Sequence, residues 1–232
     1  MEHNTVENID MLFQAARDLG FLVFVSPHYY YPHDNKWEFE GTLEALMHEI
    51  GMFNRTGPLS LEGFEGSGAD WLERYKEYIE GDNVIVTSPH KVYGPEQNDL
   101  NLQMRKRGID RVILAGMSAN LCIESHLREL LEMGYEVYVV ADATAGAKHP
   151  VLGDGYEAAL VNFHYIANGV LNTTEAITAM GTDPSLIVAQ EFPDESEQQQ
   201  EVPVAVNDGN SGAASMVSFG FSFGVAVVGL MW

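Results

Sequence analysis

Arg111-Val-Ile-Leu-Ala-Gly116-Met-Ser-Ala-Asn-Leu-Cys122-Ile-Glu-Ser-His-Leu-Arg-Glu-Leu-Leu131 reads as a buried strand, a glycine turn and an amphipathic helix in succession. Arg111 to Ala115 is a short run of branched apolar residues bounded by Gly116, the pattern of a strand covered on both faces. Ile123, Leu127, Leu130 and Leu131 then recur at helical spacing, and Gly134 closes the helix. Cys122, the only cysteine, falls in the first helical turn. There the helix dipole and free backbone N–H groups lower a thiol pKa and supply oxyanion donors. The alternative is a small buried residue filling space between helix and sheet.

Working outward, strands alternate with helices. Val6 to Leu19 places Ile9, Leu12, Phe13, Ala16 and Leu19 on one helical face, and Gly20 ends it. Phe21 to Val25 reads as a strand, running into a loop of His28, three tyrosines, Pro32, His33 and Asp34. The region Trp37 to Ser67, rich in glycine, reads as a long loop holding a short helix, Leu43 to Ile50; such loops often line substrate sites. Ala69 to Ile79, Asn98 to Arg107 and Tyr156 to Val170 read as helices, and Val84 to Val86 and Tyr135 to Ala141 as strands. The alternation predicts a doubly wound, mainly parallel α/β sheet with helices on both faces. Its sites lie off the carboxyl ends of the strands, near His28, Lys91, Cys122 and Asp142.

With 232 residues and 46% hydrophobic content, one domain can bury its own core. A single cysteine excludes an internal disulfide framework and fits a reducing, cytoplasmic setting. Thirty-four acidic against 12 basic residues give a formal charge of −22, which argues against nucleic acid as a partner.

The segment Gly116 to Cys122 with its helix, followed by Gly134-Tyr-Glu-Val-Tyr-Val-Val-Ala-Asp142-Ala, resembles the isochorismatase-like cysteine hydrolases, a family that includes nicotinamidases and other amidohydrolases. Val84-Ile-Val-Thr-Ser-Pro-His-Lys91 resembles the family's lysine-bearing strand end. The resemblance implies a three-layer fold and a Cys–Lys–Asp triad. Cys122 would attack a carbon–nitrogen bond of a small amide to give a thioester, with Lys91 as the triad lysine. The N–H groups of Ser118 and Cys122 would bind the oxyanion, and a cis peptide would join Met117 to Ser118. It implies no organic cofactor, a small-molecule substrate and a homo-oligomer.

The chain departs from the pattern in several places. The family's triad Asp ends a first, central strand, and this chain opens on the helix that should follow it, as an N-terminally truncated fragment would. The lysine register needs a small insertion at Ser88-Pro-His90. Ala119 stands where the family often has Thr, leaving Asn120 to cap the helix. Without its Asp the fold would serve instead as a ligand-binding or oligomerisation module. Nicotinamidases hold a divalent metal through an Asp-x-His pair and a later His. Here Ser26 takes the Asp position, leaving His28 and His33, with Asp34, as weak metal candidates beside the alternative of an aromatic pocket lining.

Residues 1–183 thus read as the domain and 184–232 as a tail, acidic and Gln-rich from Glu191 to Glu201 and apolar from Ser215 to Trp232. The apolar part is short for a membrane span and lacks flanking basic residues, which argues against membrane anchoring. It reads as disordered or non-native sequence, or else Gly224-Val-Ala-Val-Val228 fills the vacant central strand position without bringing an Asp.

Overall fold

The computed structural model describes residues 4–57, 62–67 and 69–182, together with the backbone of 222–228. Helix α1 (Thr5–Leu19) leads into strand β1 (Leu22–Ser26), with Gly20 turning the chain in the left-handed region at φ 75°. There follow α2 (Thr42–Glu49), α3 (Glu73–Ile79), β2 (Val84–Val86), α4 (Leu100–Arg105), β3 (Ile109–Met117), α5 (Glu124–Glu132) and β4 (Glu136–Ala145). The short strands β5 (Lys148–His149) and β6 (Gly153–Asp154) pair antiparallel. Then come α6 (Gly155–Ile166), β7 (Gly169–Leu171), α7 (Thr173–Gly181) and β8 (Ser222–Val228).

Six strands form one sheet in the order β2-β1-β8-β3-β4-β7, every pair parallel. Alternate side chains of each strand feed opposite layers, as the pleat requires. Val23, Val25, Ile113, Ala115 and Val140 pack under α1, α3 and α7, against Leu12, Phe13, Tyr75 and Met180. Phe24, Val112, Leu114, Val137 and Val139 pack under α4, α5 and α6, against Leu100, Met104, Leu127 and Phe163. Each fully buried side chain of this kind contributes about 1.5–3 kcal/mol. The expected three-layer, doubly wound architecture is the one observed, and covered faces explain why the strands read as continuous apolar runs.

Three readings need correction. The helix read over Tyr156 to Val170 ends at Ile166. Asn168 docks on Val137, its Oδ1 accepting from the Val137 N–H at 2.7 Å, and Gly169–Leu171 then pairs with β4. Asp142 serves the fold: its Oδ1 accepts from the N–H and Oγ1 of Thr173 at 2.8 and 2.7 Å, fastening the start of α7. The tail is not wholly outside the domain, because the backbone of Ser222–Val228 runs between β1 and β3. Parallel neighbours leave a line of N–H and C=O groups on each side of that position, and a seven-residue extended segment satisfies both. The strand ends at Val228, in register with Ser26 and Gly116, and brings no Asp to the sheet. The rest of the tail, including the acidic segment, lies outside the described residues. No helix of the described residues is long and apolar enough to cross a membrane.

Candidate active site

Cys122 lies in a π-helical turn, Ala119–Ile123, between β3 and α5. The Ser118 carbonyl accepts from the N–H groups of both Leu121 and Ile123, at 3.0 and 3.1 Å, which holds the wide turn in place. The Met117–Ser118 peptide is cis. The turn sets the sulfur against the backbone N–H groups of Ser118 and of Cys122 itself, and both favour a thiolate. Burial outweighs them. Cys122 is only 8% exposed, and desolvation pushes the thiol up from 9.0 to about 11. The expectation of a lowered pKa at the helix start fails here, because no cation stands in the described lining to offset the loss of water.

The thiol borders a cavity of about 300 Å³. The glycine-rich region forms its far wall, with Leu43 and Met47 from α2 and Met52 and Phe53 just beyond it. Phe53 sits in the left-handed region at φ 63°, as the turn that brings this wall over the sheet requires. His28 and His90 stand opposite. They pair in a parallel bridge beyond the ends of β1 and β2, so their rings lie side by side with centroids 4.8 Å apart. One ligating atom from each of His28, His90 and Cys122 lies within 4.8 Å of the others. Burial lowers the His28 pKa to about 4 and holds His90 well below its ordinary value, so both rings are neutral. His90 is fully buried, and neither of its ring nitrogens has a hydrogen-bond partner among the described residues.

A polar chain supports the nucleophile from behind. Asn98 Nδ2 donates to Ser26 Oγ at 2.8 Å, Ser26 Oγ lies 2.9 Å from His126 Nε2, and His126 Nδ1 lies 2.7 Å from the Cys122 carbonyl. The carbonyl can only accept, so Nδ1 carries the proton and Nε2 accepts from the Ser26 hydroxyl. His126 is fully buried, and burial lowers its pKa to about 4. The chain ties the ends of β1 and α4 to the cysteine's own backbone.

The other residues singled out in the sequence lie elsewhere. The Lys91 ammonium donates to Asp34 Oδ2 at 2.6 Å and to the Tyr29 carbonyl at 3.1 Å, and sits 4.2 Å over the Tyr31 ring. Held there, Lys91 is not among the described residues that line the cavity. In the His28-Tyr-Tyr-Tyr31 run, His28 and Tyr30 are buried, whereas the Tyr29 and Tyr31 rings flank the Arg55 guanidinium. His33 is exposed, 3.4 Å from Asp34, and joins no ligand group. Asn120 makes no cap; it lies against Gly155, where a Cβ would meet its Oδ1 at 2.5 Å.

The metal set that the resemblance implies therefore does not assemble. Ser26 offers no carboxylate and its hydroxyl is engaged by His126 and Asn98, while His33 is exposed beside Asp34 and is not in the ligand group of the described residues. Two imidazoles and a thiol form the donor group of the described residues instead. A soft divalent ion there would take the sulfur as a ligand and so compete with its use as a nucleophile.

A parallel three-layer sheet that presents a thiol and two backbone N–H groups at a strand-to-helix turn defines the class of this protein. The isochorismatase domain model matches residues 2–175, and the chain belongs to that family. An isochorismatase-family protein of Bacillus subtilis, YwoC, is 32% identical over 113 residues, 47% of this chain and 57% of that one. The ureidoacrylate amidohydrolase RutB of Methylorubrum extorquens is 33% identical over 73 residues, 32% of this chain and 29% of its own. The chain thus spans little more than half the length of the first of these relatives and less of the second. Among solved structures, a cysteine hydrolase from Pseudomonas syringae pv. phaseolicola superposes with a TM-score of 0.61 at 22% identity, covering 77% of this chain and 80% of that one.

Proposed function

We propose that this protein is a cysteine hydrolase that cleaves the carbon–nitrogen bond of a small amide through a thioester on Cys122. The observation that carries the reading is the placement of the Cys122 sulfur at once beside two backbone N–H groups and within 4.8 Å of His28 and His90. The likeness to an amidohydrolase supports the choice of bond.

In the resting site neither a thiolate nor an imidazolium is stable alone, since each is a single charge stripped of water. Together they attract each other at short range in a low dielectric. When an amide carbonyl enters, the sulfur attacks its carbon while the thiol proton passes to a ring nitrogen of His90. The oxygen takes up the negative charge against the Ser118 and Cys122 N–H groups. His90 then delivers the proton to the departing nitrogen, which leaves as amine or ammonia. Water attacks the thioester with His90 receiving its proton, and collapse returns that proton to the sulfur as the acid leaves.

Ammonia release from simple carboxamides tests the reading. The wild-type chain should release it, and Cys122→Ser should reduce the rate at least a thousandfold, since a hydroxyl in the same dry position is far harder to deprotonate. Equal rates in the two proteins would remove the thiol from the reaction. A second reading, a ligand-binding fold without turnover, is favoured by the high thiol pKa and by the lack of a carboxylate among the described lining residues. Saturable binding with no ammonia released would establish it.

A further inference from the structure

We infer that the cavity takes an uncharged carboxamide with a compact apolar acyl group and rejects anionic amides. The reaction in this inference rests on the hydrolase reading above, whereas the ligand class rests on the cavity alone.

The wall facing the thiol is Leu43, Met47, Met52 and Phe53, and Met117 and Leu121 continue it around the sulfur. Among the described residues no Lys, Arg, Asp or Glu lines the space. The two cations nearest in sequence to these loops are already committed: Lys91 to Asp34, and Arg55 between the rings of Tyr29, Tyr31 and Phe64. A carboxylate carried into this cavity would shed its water and meet no countercharge. A neutral amide meets a matched set instead. Its oxygen faces the Ser118 and Cys122 N–H groups, and its nitrogen faces the unpartnered nitrogens of the buried His90. The volume of about 300 Å³ lies at the small end of the range for ligand pockets, about 300–1,000 Å³, which favours a compact acyl group. Isochorismate and ureidoacrylate both carry carboxylates, so the cavity separates this chain from the substrate that names its family and from the one that names an amidohydrolase relative.

Benzamide and 4-carbamoylbenzoate differ by one carboxylate and test the inference with two readouts on the full chain. One is ammonia release. The other is protection of Cys122 from chloroacetamide at pH 9, which needs binding but no turnover. Benzamide should be turned over at least a hundredfold more efficiently and should protect at a hundredfold lower concentration. Met52→Lys should narrow both gaps at least tenfold, because Met52 is 42% exposed and a lysine there can keep its ammonium hydrated at the cavity mouth. Protection by benzamide without ammonia release would uphold the ligand class and defeat the hydrolase reading. Equal or better protection by the carboxylate, or no protection by benzamide, would overturn the ligand class.

Discussion

Between pH 6.5 and pH 4 the folded chain should lose stability at up to about 4 kcal/mol per pH unit, three protons' worth at 1.36 kcal/mol each. His28 and His126 have pKa values lowered from 6.5 to about 4, and His90 lies well below 6.5, all chiefly through burial. As the pH falls below 6.5 the unfolded chain binds a proton at each ring and the folded chain does not, so unfolding becomes progressively easier. Above 6.5 the three rings are neutral in both states and add no pH dependence. Near pH 4 His28 and His126 begin to charge in the folded state as well, and their contribution to the slope fades. Urea titrations at half-unit pH steps measure the slope directly. A curve that is flat from pH 6.5 to 5 would mean that these rings are hydrated rather than buried.

The second large effect concerns His90 alone. Exchanging it for phenylalanine should lower kcat for amide hydrolysis by about 10²–10⁴-fold, the usual worth of a positioned acid–base group. The ring is fully buried with no hydrogen-bond partner among the described residues, so an apolar ring of similar size leaves no new unsatisfied group. His90→Phe should therefore fold well, and its acid slope should fall by about a third, to ~2.7 kcal/mol per pH unit. A purely structural His90 would show the reduced slope with kcat unchanged. The two measurements on one variant separate a proton carrier from a packing residue.

How much of this was legible in the sequence follows from the range of each interaction. The strand, turn and cysteine-bearing helix are local, so their apolar periodicity and bounding glycines carried them. The two-faced sheet followed from the strand–helix alternation. His126 was within reach as well, since it stands four residues after Cys122, the spacing at which a helical side chain returns to a preceding carbonyl. His90 was not: it meets His28 only because β1 and β2 pair, and it reads in sequence as part of a small insertion beside Lys91. The pairing of Lys91 with Asp34, 57 residues away, is likewise non-local. The thiol pKa was misread for a related reason. A helix start is visible in sequence, but the wall of Leu43 to Phe53 that removes water from the sulfur is not. Strand β8 was legible only as one of two readings of the tail: the apolar run Gly224 to Val228 suits a buried strand, and its place between β1 and β3 is a pairing across almost the whole chain.

The central claim is a covalent acyl group on Cys122, and rapid-quench mass spectrometry of the intact chain mixed with benzamide measures it. Quenching in acid within the first turnover should show the chain heavier by one benzoyl group, mapped by digestion to the peptide holding Cys122. The adduct should decay as benzoate appears and be absent from Cys122→Ser. Ammonia released at full rate with no adduct at any time, or with the adduct on another residue, would contradict the account.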